Sequence, residues 1–390
     1  MQIPSMETLD LQGKRTMIRL DLNVPIKDGL VTSDARIMAS LSTIQMALDK
    51  GAKVILLSHL GRPDPDHLDG SFSLEPVANR LKEILNKNIS FQPDWLEGIN
   101  DQSNDIILCE NVRYQAGEKK NDETLSQRIA SLCDVYVMDA FGASHRKHSS
   151  TYGVLQYAKE GCIGPLLSNE VSSIKKAIDR PTAPVTAIIG GAKVSSKLGV
   201  IERFSSFCDH VIVGGGIANT FLLASGKQVG ASLVEPEMVD AANKILQMEN
   251  LNVPLPVDVR VAKEFSTEAE ATIKSIDEVG EDDLILDIGP ETTKSYCNII
   301  NETKTTIWNG PLGVFEFSSF AEGTRALGHA VSSNQGFTIV GGGDTVAVVE
   351  ELGIADSMSY ISTGGGAFLD FVQNGTLPIL DLLEKKRGDS

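Results

Sequence analysis

The feature that most constrains this chain is a series of short β-branched apolar runs, each ending in glycines or a polar cluster. The runs occupy residues 16–20, 53–57, 105–109, 135–138, 186–191, 210–216, 284–289, 305–310, 337–343 and 359–366. Continuous apolar strands of this kind are typical of a parallel sheet that is buried on both faces. Helix-period stretches such as 74–85, 124–132 and 236–248 lie between the runs. The alternation predicts an α/β fold with doubly wound parallel sheets, in which ligands bind beyond the carboxyl ends of the strands.

Length and composition narrow the class of protein. A chain of 390 residues predicts two domains, and 42% hydrophobic with 22% charged residues excludes wholesale disorder. The net charge of -17 argues against nucleic-acid binding. A membrane span needs about 18 consecutive apolar residues, and no apolar run in this sequence approaches that length. The first residues lack a secretory signal pattern. Five scattered cysteines without a C-x-x-C pair indicate a reducing compartment and argue against zinc or a disulfide framework, so we expect a cytoplasmic protein.

A domain boundary is predicted near the middle of the chain. Residues 168–178 have the pattern of an amphipathic helix, which Pro181 and Pro184 close before the next strand. We therefore expect a first domain at 1–168, a hinge helix at 169–182 and a second domain at 183–375. The remaining residues, 376–390, carry an apolar stripe followed by Lys385-Lys386-Arg387, which is compatible with a docking tail or with a frayed terminus.

Polar and mostly cationic residues follow the strands of the first half. They are Asp21, Asn23 and Arg36 after the first run, His59 and Arg62 after the second, Arg113 after the third, and His145, Arg146, Lys147 and His148 after the fourth. Arginine forks match the oxygens of carboxylates and phosphates, and several on one rim can hold a small polyanion. A single arginine is more often a surface charge, and Asp21 or His59 alone could be structural. The repetition at four strand ends predicts an anion site.

Glycines end the strands of the second half. They are Gly190-Gly191, Gly214–Gly216, Gly289, Gly310, Gly341–Gly343 and Gly364–Gly366. Bare backbone N–H groups at helix N-termini bind phosphate, and glycine lets a flat ring approach the chain closely. Lys193 and Lys197 are four residues apart, which predicts that they share one face of a helix beginning after Gly191 and reach phosphoryl oxygens. Asp344 is predicted to hold Mg²⁺ at the opening of another helix.

Several familiar motifs are absent. The sequence contains no G-x-x-x-x-G-K-[ST] phosphate loop, no complete G-x-G-x-x-G dinucleotide fingerprint and no protein-kinase H-R-D and D-F-G set. No histidine or carboxylate cluster has metal-ligand spacing, and no Ser-His-Asp signature frames a nucleophile.

Ten motifs taken together resemble the phosphoglycerate kinase family in order and spacing over residues 8–375. They are RLDLNVP, SHLGRP, ENVRY-x-x-GE, DAFGASHR, GGAKVSSK, VGGGIANTF, DIGP, WNGPLGVFE, GGGDT and STGGGA. The resemblance implies two doubly wound, Rossmann-like lobes that are separated by a cleft and joined by the hinge helix, with the tail 376–390 docked on the first lobe. It implies reversible phosphoryl transfer between 1,3-bisphosphoglycerate and ADP, giving 3-phosphoglycerate and ATP, with Mg²⁺ as cofactor. The expected protein is a monomer without nucleic-acid or membrane partners.

The resemblance also assigns residues. It implies a phosphoglycerate site of Asp21, Leu22, Asn23, Arg36, His59, Leu60, Gly61, Arg62, Arg113 and Arg146. It implies a nucleotide site of Lys197, Gly214, Gly215, Pro311, Val314, Glu316, Gly342, Gly343, Asp344 and Thr345, with Glu316 on the ribose hydroxyls and Asp344 as the metal anchor. Its catalytic groups would be Arg36, Lys193, Gly342 and Gly365.

The chemistry of the residues agrees with this resemblance. A carboxylate acceptor is already ionised at pH 7, so the reaction needs no general base, and phosphoryl transfer depends mainly on positioning and charge stabilisation. Two alternatives remain: a dehydrogenase or other nucleotide-dependent enzyme, and a catalytically idle nucleotide-binding protein of the same fold. One departure stands in the tail, where Ile379 occupies a position that is glycine in many family members, and this leaves the turn there open.

Overall fold

The computed structural model describes residues 3–99 and 106–388. These divide into two compact units, one formed by residues 3–99, 106–172 and 376–388 and the other by Ser173–Gly375. Asp105 of the third predicted strand and residues 389–390 of the predicted tail lie outside the described ranges.

The first unit contains a parallel six-stranded sheet with the order β5-β6-β4-β1-β7-β8 and a separate antiparallel β2–β3 hairpin. Its strands are β1 Arg15–Arg19, β2 Ile26–Lys27, β3 Leu30–Val31, β4 Lys53–Leu57, β5 Ile89–Gln92, β6 Ile106–Cys109, β7 Val135–Met138 and β8 Glu160–Ile163. Its first helices are α1 Ala35–Asp49, α2 Glu75–Leu85, α3 Glu123–Ser131 and α4 Val154–Tyr157.

Helix-period apolar residues build the core of the first unit. Helix α1 buries Ile37, Ile44 and Ala47 on one face, and α2 buries Val77 and Leu81. These side chains belong to one cluster with the buried residues of the central strands β1, β4 and β7. The packing holds the carboxyl ends of those strands in fixed positions.

Helix α5, Pro165–Ile178, carries the chain from the first unit into the second. It begins three residues before the predicted stretch 168–178, because Pro165 starts it and Asp139 Oδ1 accepts a hydrogen bond from Leu167 N (2.8 Å) in its first turn. Residues 179–182 of the predicted hinge lie beyond the end of this helix.

The second unit contains two sheets. A parallel five-stranded sheet has the order β10-β9-β14-β15-β16, and an antiparallel three-stranded sheet has the order β12-β11-β13. The strands are β9 Val185–Ile189, β10 His210–Val213, β11 Asp258–Ala262, β12 Thr272–Ser275, β13 Leu284–Ile288, β14 Thr305–Asn309, β15 Phe337–Val340 and β16 Tyr360–Ile361. The helices are α6 Leu198–Phe204, α7 Gly215–Ala224, α8 Val239–Leu246, α9 Pro290–Glu302, α10 Glu322–Ser333, α11 Gly343–Glu351 and α12 Gly365–Asn374.

One predicted parallel strand is antiparallel. The run 284–289 forms β13, which pairs antiparallel with β11 rather than joining the large sheet. Its first two residues, Leu284 and Ile285, are only half-buried. An antiparallel sheet needs only one covered face, so an apolar run does not by itself indicate which kind of sheet it joins.

The chain returns to the first unit at helix α13, Pro378–Gly388. The predicted apolar stripe is mostly buried here: Leu377, Ile379, Leu380 and Leu383 are buried, and Leu382 is half-buried. Lys386 Nζ donates hydrogen bonds to the carbonyls of Leu155 and Ala158 (2.9 Å each) at the C-terminal end of α4. Ile379 lies in the first turn of this helix, fully buried, so its side chain contributes to packing. Within the described ranges, no helix is both long and apolar enough to cross a membrane.

Candidate functional site

The four strand ends that the sequence singles out in the first half are neighbours. Strands β6, β4, β1 and β7 are consecutive in the sheet and all parallel. Their carboxyl ends therefore meet at one edge, which is where a doubly wound sheet binds its ligands. The structure thus brings the loops that carry Asp21, His59, Arg113 and Arg146 to the same edge of the first unit.

Hydrogen bonds connect the loop after β1 to the loop after β4. Arg36 Nη1 donates to Asp21 Oδ1 (3.0 Å) and to the carbonyl of Asn23 (2.9 Å). The Asn23 Oδ1 atom accepts a hydrogen bond from Gly61 N (2.8 Å), and Gly61 has a positive φ of 58°. Arg36 is thus oriented by two acceptors while its side chain stays 43% exposed, so its remaining N–H donors are available to a ligand.

Positive charge outweighs negative charge around Arg113. Burial lowers the pKa of Arg113; the carboxylate of Glu118 opposes this, and the positive charges of Arg19, Arg146 and Arg62 lower it further. Like charges repel one another in an empty site, so this grouping favours a bound anion.

His59 lies among the same cations and is buried. Its pKa is held far below the ordinary value by burial first and then by the charges of Arg19, Arg113, Arg146 and Arg36. The imidazole is therefore neutral at physiological pH. A neutral imidazole contributes a hydrogen bond to an anion but no charge.

Two predicted site residues are buried, and their backbone groups form hydrogen bonds within the protein. Leu22 and Leu60 are buried in the core of the first unit. The Leu22 N–H donates to Ser58 Oγ (2.8 Å), and both backbone groups of Leu60 are bonded to the Asn111 side chain, N–H to Oδ1 at 3.2 Å and carbonyl to Nδ2 at 2.8 Å. Sequence reasoning missed Asn111 as the residue that fixes the loop after β4, although it lies in the ENVRY motif after β6.

The prediction that Lys193 and Lys197 share a helix is wrong. Residues 190–197 form a loop, and α6 begins only at Leu198. Ser195 and Ser196 hold this loop with side-chain hydrogen bonds: Ser195 Oγ donates to Glu235 Oε1 (2.5 Å) and Ser196 Oγ donates to the carbonyl of Lys193 (2.8 Å). The Ser196 bond to a carbonyl three residues earlier is a local contact of the kind that competes with helix formation. Glu235, which also accepts from Ser195 N (2.9 Å), is an anchor that sequence reasoning missed.

Lys197 folds back across the glycine turn. Its Nζ atom donates to the carbonyl of Gly190 (2.6 Å) and to Asn309 Oδ1 (2.7 Å). Burial lowers the pKa of Lys197 to about 8, although the negative charge of Asp344 raises it. The ammonium group therefore lacks a close counter-charge, which a phosphate would supply. Lys193, by contrast, is exposed.

Two helix N-termini meet at the glycines after β15 and β16. A Cβ atom added at Gly365, the first residue of α12, would lie 3.5 Å from Gly342 Cα and 3.7 Å from Gly343 N. Gly342 precedes α11 and has a positive φ of 98°. A Cβ atom added at Gly342 would lie 2.6 Å from Asn309 Nδ2. Two adjacent helix N-termini with bare backbone form a strong anion site.

Two polar side chains in the first turn of α11, Asp344 and Thr345, differ in their surroundings. The Thr345 hydroxyl is buried, accepting from Gly310 N (2.6 Å) and donating to the Gly341 carbonyl (3.1 Å), so it braces the glycine turn. Asp344 is exposed in the same turn. Its carboxylate is therefore available to a cation.

A cavity of about 490 Å³ lies beside this turn in the second unit. Its lining includes five predicted nucleotide-site residues, which are Gly215, Pro311, Val314, Glu316 and Asp344. Apolar side chains complete the wall, among them Leu233, Phe265 and Leu286. The backbone approaches closely at this wall, since a Cβ atom at Gly215 would lie 2.9 Å from the carbonyl oxygen of Gly191. Gly214, just before the wall, is equally tight, since a Cβ atom there would lie 2.5 Å from Leu312 Cα. This size and lining suit a nucleoside.

No group of three or more histidine, cysteine or acidic side chains that could hold a metal occurs in the part of the chain that the structure describes. A protein cage for a metal is therefore not formed by these residues. Mg²⁺, however, is commonly bound by one or two carboxylates together with substrate phosphates.

A cationic strand edge in one unit and a glycine-lined, nucleoside-sized cavity in the other fit one class of protein, the nucleotide-dependent phosphotransferases. The model of the family described as "Phosphoglycerate kinase" matches residues 6–375. The chain is similar over its full length to the phosphoglycerate kinase structure from Coxiella burnetii, with 46% identity, a TM-score of 0.93 and 100% coverage of both chains. It is also similar to the structure from Pyrococcus horikoshii OT3, with 29% identity, a TM-score of 0.82 and 100% coverage of both.

The chain belongs to the phosphoglycerate kinase family. It is an enzyme, a phosphotransferase that interconverts 1,3-bisphosphoglycerate plus ADP with 3-phosphoglycerate plus ATP in glycolysis. The predicted family, the α/β fold class and the predicted activity are confirmed, and nothing favours the catalytically idle alternative.

Proposed function

We propose that the first unit binds 3-phosphoglycerate at the carboxyl edge of its sheet and that the second unit binds the nucleotide in its glycine-lined cavity. The proposed phosphoglycerate ligands are Asp21, Asn23, Arg36, His59, Arg62, Arg113 and Arg146. Leu22, Leu60 and Gly61 would shape the loops that carry these ligands, because their backbone N–H groups are bonded within those loops. The proposed nucleotide ligands are Lys197, Gly214, Gly215, Pro311, Val314, Glu316, Gly342, Gly343 and Asp344, with Thr345 bracing the turn.

The observation that carries the proposal is the pairing of Gly342 and Gly365 at two helix N-termini. The half-buried Lys197 ammonium is linked to them through Asn309, whose Oδ1 accepts its hydrogen bond and whose Nδ2 lies next to Gly342. Backbone N–H groups and helix dipoles there would bind the transferring phosphoryl oxygens without adding bulk. Arg36 and Lys193 are both exposed and would neutralise charge on that group as it moves between donor and acceptor. Glu316 lines the cavity and would accept hydrogen bonds from the ribose hydroxyls.

No proton needs to be removed from the acceptor, because the carboxylate of 3-phosphoglycerate is ionised at neutral pH. The neutral His59 is consistent with this chemistry, since it would donate a hydrogen bond rather than remove a proton. Rate acceleration then depends on positioning and on electrostatic stabilisation.

The residues present fit a magnesium ion that is shared with the nucleotide. Asp344 is the exposed carboxylate beside the glycine turn and would hold the ion together with phosphate oxygens. The ion would supply charge neutralisation on those phosphates.

The two ligand sets belong to different units, so direct in-line transfer requires the units to bring their ligands together. The reacting oxygen and phosphorus must approach to about 3–3.5 Å. Each substrate contacts mainly its own unit, so each alone biases this closure weakly, and the two together bias it strongly. Helix α5 is the proposed hinge, because the unit boundary falls between its residues Ser172 and Ser173.

We also propose that the enzyme works as a cytoplasmic monomer without a nucleic-acid partner. Each ligand set lies within one unit of a single chain, the net charge is -17, and the five cysteines are free thiols.

A coupled assay for ATP-dependent consumption of 3-phosphoglycerate tests the proposal. The wild-type chain should turn over, and Arg36→Met should lose most of the rate while still binding ADP. Binding of ADP without turnover by the wild-type chain would favour the idle alternative. Turnover that is unchanged by Arg36→Met would refute the proposed phosphoryl site.

A further inference from the structure

A chain of buried polar groups lies beneath the cationic edge of the first unit. Arg19, the last residue of β1, is only 2% exposed. Among the ion pairs of residues 3–99 and 106–388 none includes Arg19. A buried guanidinium without a contacting carboxylate is costly unless hydrogen bonds and a nearby charge compensate it.

Three acceptors surround the Arg19 guanidinium. Its Nη1 donates to the carbonyl of Leu20, and its Nε donates to Ser150 Oγ (3.2 Å). Its Nη2 lies 3.1 Å from Nδ1 of His59. Arg19 is therefore held in one orientation, with one N–H directed at the imidazole.

The negative charge that balances Arg19 lies one hydroxyl away. Ser150 Oγ donates to Glu118 Oε1 (2.7 Å), and His148 Nδ1 lies 3.4 Å from Glu118 Oε2. Burial opposes ionisation of Glu118, but its contact with His148, the hydrogen bond from Ser150 and the positive charge of Arg19 hold its pKa below the ordinary value. The Ser150 backbone is itself fixed, because the Tyr136 hydroxyl donates to its carbonyl (2.6 Å).

The contact between Arg19 and His59 determines which ring nitrogen carries the proton. Arginine has only N–H donors and stays charged in proteins, so Nδ1 of His59 must be the acceptor. The proton of a neutral imidazole is then on Nε2. A protonated ring would point an N–H at a guanidinium, with cations also facing it from other elements, namely Arg36, Arg113 and Arg146.

We propose that Arg19 is a positioning residue which, braced by Ser150 and Glu118, fixes His59 as a neutral Nε2–H donor for an oxyanion of the phosphoglycerate. The ligand part of this assignment rests on the function proposed above. Because His59 gains no proton in the physiological range, its contact with substrate is the same throughout that range. The charges that bind the substrate then come from the arginines alone.

Long-range ¹H–¹⁵N spectra of the histidine rings in the ligand-free protein test the assignment directly. His59→Asn identifies the His59 signals among the six histidines. In the wild-type protein, Nε2 of His59 should carry the proton, and the ring should not titrate between about pH 5 and 8. A proton on Nδ1 in the wild type overturns the proposal, and this measurement requires no change at Arg19.

Arg19→Met should let His59 populate both neutral tautomers and raise its pKa. Affinity for 3-phosphoglycerate should fall at least about tenfold, with ADP affinity unchanged. Since this change leaves the Glu118 charge buried alone, the double variant Arg19→Met with Glu118→Gln removes both charges and should give the same spectrum. The matched control is Arg15→Gln at the other end of β1, where Arg15 pairs with Asp134 (2.9 Å) and is 43% exposed; His59 should stay as in the wild type.

An unchanged His59 spectrum in the folded Arg19→Met protein and in the double variant overturns the proposal even if substrate affinity falls. The expected spectra in a wild-type protein that does not bind 3-phosphoglycerate would support the Arg19 assignment and refute the proposed substrate site. The two failures are therefore distinguishable.

Discussion

Replacing Lys197 by methionine should remove a pH dependence of nucleotide binding that the wild-type protein possesses. Burial lowers the pKa of this ammonium from 10.5 to about 8. At about 1.4 kcal/mol per pKa unit, this shift means that the ligand-free site destabilises the ammonium form by about 3 kcal/mol relative to water. A nucleotide phosphate that supplies the missing counter-charge raises the pKa again, so ligand and proton bind with positive coupling.

The sign of the effect follows from the lowered pKa. Below about pH 8 the ammonium is present both before and after ADP binds, so affinity does not change with pH through this group. Above about pH 8 the ligand-free protein has lost the proton and must regain it on binding. ADP affinity should therefore fall as the pH rises through 8, and binding should take up protons from the buffer. Lys197→Met should bind ADP about 10- to 100-fold more weakly at pH 7, because a charge-assisted hydrogen bond is lost.

Calorimetric titration of ADP at pH 7 and pH 9, in buffers of different ionisation enthalpy, measures both affinity and proton uptake. Lys294→Met, a change at an exposed position on α9 of the same unit, should behave as the wild type. Equal proton uptake by the wild type and Lys197→Met at pH 9, or none in the wild type, would refute the reasoning.

Four further outcomes are expected. Arg62→Ala and Arg113→Ala should each weaken 3-phosphoglycerate binding by about 1.5–3 kcal/mol and leave ADP binding unchanged in titrations of both ligands; equal loss of ADP affinity would show that the ligands are assigned to the wrong units. Lys193→Ala should lower kcat and kcat/KM together in steady-state assays, and a raised KM for ATP with unchanged kcat would make Lys193 a binding residue only. Gly342→Ala should lower both thermal stability and kcat, because a Cβ atom there meets Asn309 Nδ2 at 2.6 Å with φ at 98°; a variant as stable and active as the wild type would contradict the close approach. Small-angle scattering should show its largest contraction only with both substrates bound, and full contraction with either substrate alone would exclude the proposed closure.

The convergence of the cationic loops in the first unit could be predicted because parallel strands place their carboxyl ends at one edge. Arg36, Arg113 and Arg146 follow separate strands in the sequence, and only that rule indicates that they share a surface. The prediction that glycines at strand ends lie at helix N-termini is confirmed for α7, α11 and α12, which begin at Gly215, Gly343 and Gly365. Periodicity and strand ends were sufficient for these features.

Contacts between distant residues could not be predicted in this way. The helix expected at Lys193 and Lys197 fails because Ser195 bonds to Glu235, 40 residues away, and Lys197 folds back to Gly190. Arg19 was counted only as part of an apolar run. A charged residue inside such a run is the signal that could have identified it, since burial of a guanidinium requires partners that sequence spacing does not reveal.

The order of the chain has a consequence for how this protein is made. The second unit is one uninterrupted stretch, whereas the first is completed only by α13, whose buried stripe is translated after the whole second unit. A nascent chain on the ribosome can therefore finish its later unit while its earlier one still lacks Leu377, Ile379, Leu380 and Leu383. Until those side chains emerge, the surface that they cover stays open to solvent, so the earlier-synthesised unit is the last to be completed.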